Sequence, residues 1–209
     1  VRVLDDGTMY DDVWFYDNPL PSSQISETGL RIVTKPEENA EGEESAVRSS
    51  EEPAPGSLTD DDGQHRKSFL PAPLINDVDF WINLPVLLDH RSMEISCALA
   101  NASLWNVSNR ERFFSSPANA PVAMAEIAAI PELYDNWALT ILSLEYYQFV
   151  GGPVFNSNYV RSDPVIIGGS DPAIIDAWGA RRLNAHRENE GFERINMPPY
   201  ACSFAKIVG

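Results

Sequence analysis

Pro131-Glu132-Leu133-Tyr134-Asp135-Asn136-Trp137-Ala138-Leu139-Thr140-Ile141-Leu142-Ser143-Leu144-Glu145-Tyr146-Tyr147-Gln148-Phe149-Val150, followed by Gly151-Gly152-Pro153, is the stretch on which the reading of the fold turns. Leu139, Leu142, Tyr146 and Phe149 recur at three- and four-residue intervals, the period of one helical face. Trp137, Ile141 and Leu144 occupy the other faces, so the spacing predicts a helix buried on most sides. Pro131 has the fixed φ of a first helical turn, Glu132 and Asp135 lie near the positive end, and the Gly-Gly-Pro run stops the element.

Working outward, Pro121 opens a second predicted helix through Val122 to Ala129. Downstream, Val165-Ile166-Ile167 reads as a strand, and Ser170 or Asp171 caps a third helix with Pro172 at its start. That helix runs through Ile174, Ile175, Ala177 and Trp178 to Arg181 and Arg182, cations suited to its negative end. Upstream, Val78 to Leu84 alternates loosely as a strand, and Ser92 to Leu99 more cleanly, with Met93, Ile95, Cys97 and Leu99 on one face. Asn101 to Ser116 is polar and loop-like, and the tail from Ala201 to Val208 reads as a last strand. Strands, then a helical middle, then mixed structure make an α+β pattern with a globular region over residues 68–209.

The region before residue 68 divides in two. Residues 1–33 form a strand-rich extension, with strand-like runs at Val1 to Leu4, Val13 to Tyr16 and Leu30 to Val33. Three short strands and one aromatic cluster cannot build a core of their own, so this piece is expected to add strands to the C-terminal region or to a neighbouring chain. Residues 34–67 are an acidic, low-complexity linker or loop, with ten acidic residues against four basic ones. Val47 and Leu58 are its only larger aliphatics, too little apolar surface to offset an ordering cost of roughly 1–2 kcal/mol per residue.

The chain carries 31 acidic and 15 basic residues, a formal net charge of −16. A field of that sign repels phosphate backbones and anionic membrane surfaces, so neither nucleic acid nor membrane is expected as a partner. No run reaches the roughly 18 to 20 apolar residues of a membrane span, and Val1-Arg2-Val3-Leu4 lacks the layout of a signal peptide. The first residue is Val1 rather than Met, compatible with a trimmed chain or a processed N-terminus. Among the basic residues Arg outnumbers Lys twelve to three, and Arg is the cation favoured in interfaces. Cys97 and Cys202 allow at most one disulfide; each lies in an apolar alternating context that suits a buried thiol.

Candidate chemistry is sparse. Asp89-His90-Arg91 sets an imidazole beside a carboxylate, but neighbours on a strand face opposite ways, no nucleophile elbow accompanies them, and a surface turn after Leu87-Leu88 explains His90 better. His186-Arg187-Glu188-Asn189-Glu190 offers metal-ligand atom types without a second His or Cys at a known spacing, and a solvated helix end explains it better. Gly168-Gly169-Ser170-Asp171-Pro172 joins strand to helix, where phosphates often bind, yet Asp171 repels an anion and Pro172 removes a donor. Asp60-Asp61-Asp62-Gly63 begins like a calcium loop but lacks its closing Glu, and His65 falls inside the acidic segment. Asn101-Ala102-Ser103 and Asn106-Val107-Ser108 are glycosylation acceptors, a number close to chance for fourteen Asn.

No catalytic, cofactor-binding or metal-binding residue is therefore assigned. The expectation is a non-enzymatic structural subunit or segment of a large protein assembly, most concretely a virus capsid or shell protein, located in a virion or the cytoplasm. Its partners would be other protein chains, in a homo- or hetero-oligomer. Two alternatives stand beside it: a secreted or surface glycoprotein module, resting on Asn101, Asn106 and a Cys97–Cys202 bridge, and an enzyme domain using Asp89, His90 or Glu188.

Overall fold

A computed structural model describes residues 10–16, 68–115, 119–196, 204, 205 and 208. The acidic segment 34–67 (with His65 and Asp60-Asp61-Asp62), the strand readings at Val1 to Leu4 and Leu30 to Val33, and Cys202 lie outside the described residues.

The chain is α+β. Strand β1 (Tyr10–Tyr16) pairs antiparallel with β2 (Ser68–Pro71), so the N-terminal strand joins the chain beyond the acidic segment. Helix α1 (Ala72–Asn76) leads to β3 (Trp81–Asn83), β4 (Leu88–His90), β5 (Glu94–Ser96) and helix α2 (Ala98–Ala102). Two 3-10 turns, Leu104–Asn106 and Arg110–Ser115, precede α3 (Asn119–Ala128) and α4 (Pro131–Tyr134). Then come β6 (Trp137–Ser143), β7 (Tyr147–Gln148), β8 (Val160–Arg161), β9 (Ile166–Gly169) and α5 (Pro172–Asn189). One mixed sheet has the order β3-β6-β9 and a second the order β5-β4-β7-β8.

The stretch 131–150 is not a long helix. Only Pro131–Tyr134 is helical; Trp137–Ser143 is a strand. Its seven residues fit a strand better than a helix of ten or more, and Trp, Thr and Ile favour the pleat. The deciding term is tertiary. β6 is the central strand of its sheet, parallel to β3 and antiparallel to β9, so its backbone groups are satisfied on both sides. Thr140 and Leu142 are fully buried on one face, while Leu139 and Ile141 are half-buried on the other. An apolar run that fills both faces of a sheet imitates a helix buried all round.

Smaller differences share this cause. The strand expected over Val78 to Leu84 is only Trp81–Asn83, and the one over Ser92 to Leu99 ends at Ser96 before α2. The Asn101 to Ser116 region is largely helical turns rather than loop, and the described tail positions 204, 205 and 208 are helical rather than extended. Where signals are local, the reading holds. The helix opened near Pro121 exists as α3, and α5 starts at Pro172, with Asp171 Oδ1 accepting from Ala173 N at 2.8 Å and Ile174 N at 3.2 Å.

Helix α5 anchors both halves of the core. Gly179 lies so close to the second sheet that a Cβ there would meet Leu87 Cδ1 at 2.8 Å and Ile95 Cδ1 at 3.3 Å. One turn earlier, the fully buried Asp176 accepts from Ala98 N at 2.6 Å and Leu99 N at 3.2 Å, capping the start of α2. Cys97 beside it is a free, fully buried thiol, its pKa raised by burial and then by the Asp176 carboxylate.

Asp176→Ala should lower unfolding free energy by about 3 kcal/mol in urea titration, because two buried amides lose their acceptor. Asp176→Asn keeps one acceptor oxygen and should cost less. A loss below about 1 kcal/mol for the alanine variant would remove Asp176 from this role.

Candidate interaction surface

In the second sheet, Leu88 pairs with Gln148, Gln148 with Val160, and Tyr147 with Arg161. Side chains alternate along strands, so Asp89, Tyr147 and Arg161 share one face and Leu88, Gln148 and Val160 the other.

The first face meets α5 through a row of polar contacts, one from each of three adjacent strands. From β4, Asp89 approaches Arg187 at 3.4 Å and accepts from Gly152 N at 2.7 Å and Gly151 N at 3.0 Å. Arg187 also donates to Phe149 O at 2.8 Å and Glu193 O at 2.6 Å. From β7, the Tyr147 hydroxyl lies 2.6 Å from both Asp163 Oδ2 and His186 Nε2. From β8, Arg161 pairs with Glu190. Arg182 closes the group by donating through Nε to Asp163 Oδ2 at 2.8 Å.

The proton positions in this group follow from counting donors. Burial, and then its bond to Asp163, pushes the Tyr147 phenol up to about 12, so it keeps its proton. The bonds from Tyr147 and Arg182 hold Asp163 below the usual carboxylate range, which makes it an acceptor only. Tyr147 therefore donates to Asp163, and His186 must carry a hydrogen on Nε2 and donate to the phenol oxygen. Burial, and then Arg182, lowers the His186 pKa, which favours the neutral ring, and the bond to the phenol oxygen places its hydrogen on Nε2.

The opposite face of the sheet is bare at one end, where it forms a cleft of about 630 Å³ lined by the apolar Val86, Leu88, Tyr146, Pro153, Phe155 and Val160 together with the polar Tyr147, Gln148 and Arg161. The Gly151–Asn156 loop is one wall. Gln148 fixes it by donating to Val154 O at 2.9 Å and accepting from Asn156 N at 2.8 Å, while Asp89 holds its first two amides. Gly151 has φ +84°, and a Cβ at Gly152 would lie 2.1 Å from Asp89 O, so both positions require glycine. This secured loop presents Val154 and Phe155 to solvent.

The cleft continues into an apolar stripe. Phe80, Ile82, Leu84 and Val86 are 49–67 % exposed, whereas of the alternate residues Trp81 is half-buried and Asn83, Pro85 and Leu87 are buried. Ile82 stands opposite Leu139 in register, and the exposed Ile166 stands opposite Ser143 on the other side of β6. The segment 80–88 thus runs from the outer face of the first sheet, at Ile82, to the cleft of the second, at Val86 and Leu88. Isolated exposed apolar side chains are ordinary, but a contiguous patch marks a contact surface.

The sequence candidates are dispersed by the fold. His90 faces away from Asp89, buried against Phe114 and Trp105 at ring distances of 5.3 and 6.0 Å, with Nδ1 accepting from Ser92 N at 3.2 Å. Glu188 pairs with Arg194 at 2.5 Å on the exterior, and Asp171 serves as a helix cap. Asp89, His90 and Glu188 do not converge. Asn101 Nδ2, the atom a glycan would occupy, donates to Asn83 Oδ1 at 2.6 Å, and Asn106 is half-buried in a 3-10 turn. Among the described residues no group of three or more His, Cys, Asp or Glu is placed to hold a metal, and no helix is long and apolar enough to cross a membrane. Sequence reasoning missed the Tyr147–His186 contact, which joins residues 39 apart and has no local signal. The stripe did have one, the alternation from Phe80 to Val86, but not its exposure.

The sequence profile of a family described as Domain of unknown function (DUF362) matches residues 3–181. The chain belongs to this family. The match begins before β1 and ends within α5, so the DUF362 region includes both sheets, Asp176 and the stripe. Searches of curated proteins and of solved structures each returned no match to this DUF362 chain.

Burial lowers the pKa of His90 from its ordinary 6.5, with Asp89 opposing in part. The unfolded chain therefore binds the proton more tightly, so the contribution of His90 is present above about pH 6.5 and is lost as pH falls towards its folded value. His90→Asn, which retains an acceptor for Ser92 N, should flatten the fall in melting temperature below pH 6.5, leaving the part due to His186. An unchanged profile would show that His90 is not the group responsible.

Proposed function

We propose that this chain is a non-enzymatic interaction subunit that joins other polypeptides into an assembly through the apolar stripe and its adjoining cleft. The observation that carries this reading is the run Phe80, Ile82, Leu84 and Val86, four large apolar side chains exposed along a segment whose alternate residues are buried or half-buried. Exposure of such a surface to water is unfavourable by roughly 25 cal/mol per Å² of apolar area, which contact with a partner recovers. The polar groups near the cleft support binding rather than chemistry. Tyr147, Arg161 and Gln148 are each engaged in internal hydrogen bonds that secure the sheet, α5 and the loop. The surface is also held in shape before any partner arrives, through the Asp89 and Gln148 contacts to the loop, which reduces the ordering cost of association.

In extracts of the cells that make it, the wild-type chain should sediment with larger complexes, and Leu84→Asp or Ile166→Asp should sediment as the free chain. Both side chains are exposed, so the variants should melt within a few degrees of wild type. A wild-type chain that sediments alone in those extracts would end this reading.

A further inference from the structure

The segments that build the stripe have a charge asymmetry that selects among partners. Residues 72–88, 131–150 and 162–175 contain no Lys or Arg, yet they carry Asp77, Asp79, Glu132, Asp135, Glu145, Asp163 and Asp171. Asp79 adjoins Phe80, and Asp135 precedes Asn136, whose carbonyl accepts from Trp81 N at 2.8 Å. Glu145 adjoins Tyr146 at the cleft. All three carboxylates are on exposed residues. Of the arginines near the second sheet, Arg161 lines the cleft and is paired with Glu190, Arg182 and Arg187 on the α5 side are paired with Asp163 and Asp89, and Arg91 follows β4. The stripe is therefore an apolar surface bordered by acidic residues, and Arg161 at its cleft end is already paired.

We infer that the occupant of this surface is a polypeptide segment with apolar side chains flanked by Lys and Arg, an amphipathic basic strand or helix belonging to a different chain. The inference rests on the interaction reading above and adds the chemistry of the partner. Apolar contacts with Phe80, Ile82, Leu84 and Val86 supply affinity, and the acidic margin supplies orientation, faster encounter and rejection of acidic competitors. A second copy would bring the same acidic margin against this one, an unfavourable pairing in a chain of net charge −16. An anionic lipid surface is disfavoured for the same reason.

The test uses the purified full chain and two fluorescent amphipathic peptides of equal length, one of Leu and Lys and one of Leu and Glu. The Leu/Lys peptide should bind at least about tenfold more tightly, and its affinity should fall as salt is raised. Leu84→Asp should weaken it about tenfold even though it adds a negative charge, which separates the stripe from simple attraction to the acidic segment 34–67. Ile166→Asp, on a different strand, gives the same reading if Leu84→Asp disturbs the fold. Asp79→Lys with Glu145→Lys should move the preference towards the Leu/Glu peptide. Equal binding of the two peptides, or Leu/Lys binding indifferent to both stripe variants, would overturn the inference. So would light scattering that shows a dimer of the purified chain dissolved by Leu84→Asp, or binding to phosphatidylserine vesicles lost in that variant. Each of these outcomes is compatible with an assembly in cell extracts, so this inference can fail while the interaction reading stands.

Discussion

Helix α5 can lie against the second sheet only because Gly179 has no side chain. Leu87 and Ile95 approach the place a Cβ would occupy, and Asp176, one turn away, reaches past the sheet to cap α2. A buried carboxylate is tolerated when its hydrogen bonds are supplied, and here two backbone amides with no partner inside α2 supply them. The close approach sets the distance between helix and sheet, and the cap sets the position of α2. Everything on the far side of the sheet, including the cleft and the loop that walls it, inherits its placement from this contact.

The same sheet separates two kinds of surface. Towards α5, one side chain from each of β4, β7 and β8 makes a polar contact, to Arg187, His186 and Glu190 in turn. Away from α5, the alternate residues Leu88 and Val160 are apolar and part of a cleft. The polar row serves the apolar face indirectly. Asp89 belongs to the row and also holds Gly151 and Gly152, so the tie to α5 and the shape of the cleft wall depend on one carboxylate. Arg161 is engaged in the same way, donating to Val160 O at 2.8 Å at the edge of the sheet.

Much of the candidate surface was written in the sequence without being legible there. The alternation Phe80, Ile82, Leu84, Val86 announces an extended segment, and sequence reasoning found a strand in that place. Alternation alone does not say which parity is buried. A reader of the sequence assigns the large apolar set to the core, and the fold instead buries Asn83, Pro85 and Leu87. Asn83 is held inside by donating to Ala98 O at 2.8 Å and accepting from Asn101 Nδ2 at 2.6 Å, a network that depends on where α2 is placed. Strand geometry alone says that Asp89 and His90 face opposite ways, but it does not reveal that His90 is buried in β4 rather than on the surface turn expected there.

By itself the sequence determined the start of α5 at Asp171-Pro172, the helix after Asn119 and the α+β class, together with the acidic net charge. Only the tertiary structure decided that Trp137–Ser143 is a strand, that Tyr147 meets His186, and that the 80–86 stripe faces solvent. The physical reason is common to all three. A cap or a proline acts through backbone groups one turn away, whereas the choice between helix and strand for an apolar run, and between burial and exposure for its alternate residues, is made by partners contributed from distant parts of the chain.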